Sequence, residues 1–494
     1  MSLVDLLVTP LYLPFTNPGL AAFLLFAFVF FGMALRDFLQ TKSSIKRNFP
    51  LLGMARYLVS GIGPELRQYL FANDREERPI PRYIREWIYA SAENRNATVP
   101  FGTQLDIDRP GSILMGHSPF PKAKLKGLPR VTIGGSRKKP YDAAMFNISA
   151  MSFGSLGQNA ITALNQGAAM GGFFHNTGEG GLSPYHLLGA DVVWQLGTAK
   201  FGCRHADGSF DEAMFADKAA HDNVKMVEIK LSQGAKPGKG GILPGDKITK
   251  EIAAIRLVER GKDVISPPRH REWDDAEGMC AFIAKIQELC GKPVGIKFCL
   301  GQPAFLDEIC RAFNETGIHP DYVAVDGAEG GTGAAPMAHT NVLGVPMLDA
   351  VMATENKLIE YGLREKVKII ASGKIWTGGS LAIAVAAGAD LAASARGFML
   401  SVGCIQALKC NTNFCPSGVA THNKWFQRGL VPKVRAPQVA NYQAAVIKDF
   451  AAVVASCGYD NPRELSRRDI LRVVDWHDIR PMSDLVPYPE LAAK

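Results

Sequence analysis

No charged residue stands between Asp5 and Arg36, a gap too long for an ordinary water-facing segment. Arginine-rich tracts interleaved with aromatics are also missing, so nucleic-acid binding has no support. No G-x-G-x-x-G opens the first βα unit, which argues against an open dinucleotide-binding sheet. The C-x2-C pairs of structural zinc sites are absent as well. Six of the nine cysteines, at 203, 280, 290, 299, 310 and 457, are scattered singly. That pattern is not a secreted disulfide framework, and it suits a reducing cytosol.

What fills the uncharged gap is apolar. Gly19 to Leu35 reads GLAAFLLFAFVFFGMAL, and the lead-in from Leu11 lengthens it. The stretch is long enough to cross a hydrocarbon layer of about 30 Å as a helix. A signal peptide would put positive charge before the run and small residues after it. Here Arg36, Lys42, Lys46 and Arg47 follow instead, and basic residues favour the cytoplasmic side. The reading is a single-pass membrane helix with the catalytic body in the cytoplasm; a buried hairpin of two short helices broken at Pro14 and Pro18 is the competing reading. The net charge of +8 is mild for 494 residues and agrees with attraction to anionic headgroups.

Four regions follow from composition: a membrane anchor (1–36), a helical and loop-rich prologue (37–140), a barrel (141–425) and a helical C-terminal extension (426–494). In the prologue, FPLLGMARYLVSGIGPELRQYLF has helical spacing, with Gly61–Pro64 expected to separate two helices. From Tyr141 onward, short apolar runs alternate with helical stretches. The runs are 145–151, 172–176, 224–231, 263–266, 294–298, 322–327, 367–372 and 391–395. Eight such runs predict an α/β fold, a closed (β/α)8 TIM barrel with its active site at the carboxyl ends of the strands. NYQAAVIKDFAAVVASCG and RELSRRDILRVV are expected to be helical.

The distinctive motifs follow those runs. Met151 and Ser152 open MSFGS, and Glu179 sits among glycines in NTGEGG. Lys230, Gln233 and Lys236 lie in or near KLSQGAKPGKGG, and Lys297 ends the fifth run. Asp326, Gly330 and Gly331 belong to DGAEGGTGAAP; Ser372 and Gly373 end the seventh run, Ala395 and Arg396 the eighth. Loops after the last two strands of such barrels hold phosphate on backbone amides, and Arg396 adds charge. A phosphate there, with Lys297 to stabilise negative charge on a flavin ring, points to FMN.

Cys404, Cys410 and Cys415 form C-x5-C-x4-C. Three soft thiolates in one short segment, with no evident fourth ligand, point to a 3Fe–4S centre and hence to redox chemistry.

Taken together, MSFGSL, NTGEGG, KLSQGAKPGKGG, ISPP, DGAEGGTGAAP and GCIQALKCNTNFCPSGVATH resemble the FMN-binding synthase domain of glutamate synthase over roughly residues 140–425. More narrowly, with KRNFPLLGMARYL and FGTQLDI, they resemble its stand-alone, membrane-anchored relatives. The resemblance implies a barrel holding FMN and a 3Fe–4S cluster that reduces 2-iminoglutarate, from 2-oxoglutarate and ammonia, to L-glutamate. By motif, Glu179, Lys236 and Arg256 match positions that bind the 2-oxoglutarate carboxylates and keto oxygen. Met151 and Ser152 match the segment around the flavin, and Lys297 the lysine near its pyrimidine edge; the three thiolates match the cluster ligands. Two features depart from the family. Ile242 stands where the family has a substrate-contacting glutamine, which brings another 2-oxo, 2-amino or 2-hydroxy acid into range as substrate. The chain also begins Met1-Ser2-Leu3 rather than with the nucleophilic cysteine of a glutaminase. Ammonia is then expected free or from a separate subunit. Electrons are expected to pass to or from a separate protein such as ferredoxin or a pyridine-nucleotide flavoprotein.

Overall fold

The computed structural model describes residues 17–123, 125 and 127–490. The lead-in from Leu11 and the proposed break at Pro14 lie outside the described residues. The chain divides into two compact units, 1–82 and 83–494.

In the first unit, helix α1 spans Pro18–Leu39, capped by Asn17, whose side chain accepts from the backbone N–H of Leu20. Its apolar residues face outward all round; Phe28 is 78 % and Phe31 70 % exposed. A core hairpin broken at Pro18 is therefore not what forms: Pro18 occupies the first helical position, where its missing N–H costs nothing. The short helix α2 covers Ser44–Asn48 and α3 covers Leu52–Leu66. The predicted separation at Gly61–Pro64 does not occur. The helix runs through Pro64 and passes into a π turn over Arg67–Phe71.

The second unit is built on a closed parallel barrel. Its strands are β1 Phe146–Ile148, β2 His175–Asn176, β3 Val192–Leu196, β4 Val224–Lys230, β5 Val294–Phe298, β6 Tyr322–Asp326, β7 Lys368–Ser372 and β8 Leu391–Ser394. They pair in sequence order, and β8 returns to β1. Most strand residues are buried, as expected for strands packed against helices outside and side chains inside. Two details differ from the sequence expectation. Val192–Leu196 is a strand that the reading passed over, because Gln195 and the flanking glycines give it the look of a loop. Residues 263–266 do not enter the barrel: Val264–Ile265 pairs antiparallel with Ile242–Leu243 in a small ribbon. Ile265 is 68 % exposed, too wet for a barrel strand. One strand missed and one added leave the count at eight, so the assignments from the fifth strand onward are unchanged.

Register fixes the site. Lys230 at the end of β4 lies directly beside Lys297 on β5, and Asp326 on β6 beside Ser372 on β7. Helix α4, Gln158–Gly171, follows β1, and α5, Lys250–Arg256, lies in the long connection after β4. Helix α6 covers Met347–Glu360 and precedes β7; α7 covers Gly378–Ala386 and follows it. The long helix α8, Pro432–Ser456, packs against both α4 and α7. The approach is close: a Cβ on Gly167 would meet the Ala436 carbonyl at 2.5 Å, and one on Gly378 the Phe450 nitrogen at 2.3 Å. Tyr442 on α8 reaches the barrel wall, edge-on to Phe146 and Phe398, and its hydroxyl donates to the Trp376 carbonyl at 2.8 Å. Helix α8 thus completes the outer ring. Beyond it, the expected helix RELSRRDILRVV instead forms tight turns and a strand, Ile470–Asp475. That strand pairs with Ile113–Met115 and Asp478–Pro481, so its β-branched residues are satisfied by a sheet edge.

Arg467 pins this C-terminal segment. It is fully buried, donating to Glu355 Oε2 at 2.8 Å and Asn356 Oδ1 at 2.7 Å, both on α6. Replacing one partner of a buried pair strands the other charge, at a cost of about 3–5 kcal/mol. Arg467→Met should therefore lower the thermal midpoint clearly, whereas Arg468→Met should leave it nearly unchanged; a melting scan in detergent measures both.

Candidate active site

Glu179 lies on the single turn Gly178–Gly180 after β2. Its carboxylate occupies space that two glycines leave open. A Cβ on Gly241 would come within 2.1 Å of Oε1, and one on Gly197 within 2.9 Å of Oε2. Lys230 Nζ sits 3.2 Å from Glu179 Oε1 and donates to Gln233 Oε1 at 2.6 Å. Burial pushes the Glu179 carboxyl up, but Lys230, by charge and hydrogen bond, then Arg256 and Lys236, pull it net below the usual range. It is held ionised.

Arg256 ends α5 and is buried, whereas an arginine on an amphipathic helix would by default face solvent. Its Nη2 donates to Ser152 Oγ at 3.3 Å and to the Phe153 carbonyl at 3.1 Å, and the guanidinium lies over the Phe201 ring at 5.0 Å. Its buried Nε has no partner. Gly154 and Gly180 again make the room, since a Cβ on either would lie under 3 Å from Nη2. Burial lowers the Arg256 pKa to about 10, opposed by Glu179. Lys236 donates from Nζ to the Ala334 carbonyl at 3.0 Å; burial drops its pKa to about 8, with Glu179 acting the other way. Three cations around one carboxylate leave excess positive charge, which is what an anionic ligand requires.

Next to this group a polar cavity opens at the carboxyl ends of the strands. Gln233, Lys297, Asp326, Gly330, Gly331, Ser372, Gly373, Ala395 and Arg396 all line it. Lys297 Nζ is 3.5 Å from Asp326 Oδ2, which also accepts from the Gly234 N–H at 3.0 Å. Burial would lower the Lys297 pKa, but Asp326, Glu228 and Glu179 raise it overall, so this ammonium stays charged. Arg396 Nη2 donates to the Glu329 carbonyl at 2.6 Å, and a Cβ on Gly331 would strike the Arg396 side chain at 2.7 Å. Met151 and Ser152 do not line this cavity; they stand on the Arg256 side, where the Met151 carbonyl meets His186 Nε2 at 3.3 Å. Ser149, Ala150, Lys374, Trp376 and Ser394 line it without having been singled out in the sequence. Each falls within a few residues of a strand end, the signal that could have found them. Beneath, Glu228 inside the barrel accepts from Gln195 at 2.6 Å and Asn176 at 2.9 Å.

The cysteine segment is at the same end of the barrel. Cys404 and Cys410 are half-buried and Cys415 is buried. Tyr89 Oη donates to the Cys404 carbonyl at 2.7 Å, and His422 Nε2 contacts the Gly154 carbonyl at 2.8 Å. Burial pushes the Cys404 thiol up to about 12, and Cys410 and Cys415 add to the rise, so the three act on one another electrostatically. Among the described residues no three His, Cys, Asp or Glu side chains converge tightly enough to hold a single metal ion. Lys247 is buried next to the thiols and donates to the carbonyls of Ser155, Cys410 and Ala420 at 2.7, 3.2 and 3.2 Å. Burial lowers the Lys247 pKa to about 8, with Cys410 and Cys415 acting the other way.

A parallel barrel with a cationic pocket and a polar cavity at the carboxyl ends of its strands has the layout of a barrel enzyme. Residues 133–460 match the family model described as the conserved region in glutamate synthase. The chain belongs to this glutamate synthase family, whose members are oxidoreductases. A glutamate synthase large subunit-like protein of Bacillus subtilis, YerD, is 38 % identical over 490 residues, covering 90 % of this chain and 92 % of that protein. An archaeal glutamate synthase (NADPH) of Methanocaldococcus jannaschii is 34 % identical over 335 residues; the match spans 62 % of its length, less than two thirds. Among solved structures, a putative lactate oxidase of Pediococcus acidilactici is similar at a TM-score of 0.45 and 14 % identity, covering 83 % of this chain and 97 % of that one.

Gly241→Ala should displace the Glu179 carboxylate and cut turnover by roughly 100-fold, since a shift of about 1 Å at a reacting group costs that much. Gly301→Ala, where an added Cβ meets nothing within 4 Å, is the control and should keep both turnover and melting temperature.

Proposed function

We propose that the protein reduces 2-iminoglutarate, formed from 2-oxoglutarate and ammonia, to L-glutamate. FMN would occupy the Lys297–Arg396 cavity, and a 3Fe–4S cluster would be held by Cys404, Cys410 and Cys415. The observation that carries this reading is the ionised Glu179 among Lys230, Lys236 and Arg256, directly beside that cavity. The cations suit a dicarboxylate. Arg256, with an unpartnered Nε, offers a donor to a carboxylate, and Lys236 offers a point charge. Glu179 faces positive charge of the kind a protonated imine bears on nitrogen, and so favours that species over the neutral imine. Lys230 keeps Glu179 ionised and aligned. Lys297 stands where negative charge on a bound ring would be stabilised, and Arg396 with the amides after β7 and β8 suits a phosphate. When bound, FMN supplies the hydride for the imine carbon and the cluster supplies single electrons. The cluster reading is supported by the spacing of the three cysteines in one segment and by the buried Lys247, which donates to the Cys410 carbonyl. Electrons would come from a separate donor; one relative, at 32 % identity over 257 residues and 16 % of its length, is the ferredoxin-dependent glutamate synthase of an Antithamnion species.

Ile242 favours a second reading, in which another 2-amino or 2-hydroxy acid is oxidised at the same rim. It lies in the ribbon between Gly241, which abuts Glu179, and Leu243, which approaches Gly154. An apolar side chain there offers no hydrogen bond to a distal carboxylate.

Helix α1 would span the membrane once, with the barrel on the cytoplasmic side. It has 22 residues with a mean hydropathy of 2.2 over its most apolar stretch, none of it buried in the chain, and basic residues follow it.

After anaerobic purification in detergent, extracted flavin should be FMN, and 2-oxoglutarate with ammonium should reoxidise the dithionite-reduced flavin. Failure of this pair to reoxidise a flavin that is bound and reduced sinks the substrate assignment. Deprotonation of Lys236 removes positive charge, so affinity of the free enzyme for 2-oxoglutarate should fall as pH rises through about 8. Lys236→Arg should move that fall upward, read from binding titrations across pH.

A further inference from the structure

The first unit holds more than a span. Helix α1 ends in a built elbow: the buried Asp37 accepts from the Leu51 N–H at 3.3 Å, and Ser43 Oγ meets Tyr57 Oη at 2.8 Å. Gln40 brackets Ser43, donating to its carbonyl and accepting from its N–H at 2.8 Å each. Lys46 Nζ stands over the Tyr57 ring at 5.0 Å, and a Cβ on Gly53 would be 2.9 Å from Lys46 Cα. This elbow fixes where α3 starts, a dozen residues after the last turn of α1.

Helix α3 carries apolar residues at Leu52, Ala55, Val59, Ile62 and Leu66, the i, i+3, i+7 spacing of one face. Among the described residues that face is open: Leu52 is 75 %, Val59 58 % and Ile62 47 % exposed. The π turn prolongs it, with Phe71 77 % exposed. From residue 40 to 71 the charged residues are Lys42, Lys46, Arg47, Arg56, Glu65 and Arg67, five basic against one acidic. A stripe of this kind, bordered by basic residues and tied to the end of a membrane-crossing helix, sits at the depth of the lipid headgroups.

We propose that α3 lies in the headgroup layer of an anionic bilayer, its Leu52–Leu66 stripe toward the acyl chains, and that Arg56, together with Lys42, Lys46 and Arg47 of the elbow and Arg67 just beyond the helix, meets lipid phosphates. This rests on the reading of α1 as a membrane span. The arrangement gives the protein a second, electrostatically tuned hold on the membrane in addition to the span. The occupant of the stripe is lipid, not a second copy of the chain.

The test places a photoreactive benzophenone side chain at Val59, at Ser60, about 100° further round α3 and off the stripe, or at Phe26 within α1. Each full-length variant is reconstituted in vesicles of phosphatidylcholine with phosphatidylglycerol, irradiated, and assayed for lipid adducts by mass. Val59 should give several-fold more adduct than Ser60, and leaving out phosphatidylglycerol should lower the Val59 yield while leaving that of Phe26 unchanged. Equal yields at Val59 and Ser60, or a cross-linked dimer from Val59, would overturn the proposal while the span stands. No adduct from Phe26 would remove the span reading itself, and this inference with it.

Discussion

One half-buried carboxylate held ionised by its neighbours shapes the whole rim. Taking a charge partly out of water is costly, and Lys230, Arg256 and Lys236 around Glu179 offset that cost. Those large side chains need volume at a place where eight strand ends already crowd together. The glycines supply it: Gly197 and Gly241 face Glu179, Gly154 and Gly180 face Arg256, and Gly331 faces Arg396. The glycine-rich loops of the sequence are in this sense the imprint of charged side chains folded inward over the barrel mouth.

The barrel turns this local requirement into a site with two halves. Parallel register sets Lys230 beside Lys297 and Asp326 beside Ser372, so the charges around Glu179 and the polar cavity share neighbouring strands. Gln233 belongs to both, bonded to Lys230 and lining the cavity. Lys247 and His422 then bind the cysteine segment to the loop after β1, which brings the thiols to the same end.

Much of this was legible in the sequence because barrel chemistry lies at strand ends, and strand ends are marked by abrupt changes from β-branched residues to glycine and charge. Nine of the expected cofactor residues line one cavity for that reason. What escaped has physical causes. Val192–Leu196 hides between glycine-rich segments, and residues 263–266 have strand composition but pair in an exposed ribbon. The burial of Arg256 was invisible because a helix pattern gives spacing, not which face the fold covers. Glu228 inside the barrel has no motif at all; only closure of the barrel brings Asn176 and Gln195 to it. The strand at Ile470–Asp475 depends on a partner more than 350 residues earlier, a pairing that local periodicity does not encode.

Excess positive charge around Glu179 should select a dianion over a monoanion. Calorimetric titration of the oxidised protein with 2-oxoglutarate and with 2-oxobutyrate, which lacks the distal carboxylate, tests this directly. Tighter binding of 2-oxoglutarate by about tenfold or more, the worth of a charged hydrogen bond, is the result expected. Equal affinity for the two acids would contradict it.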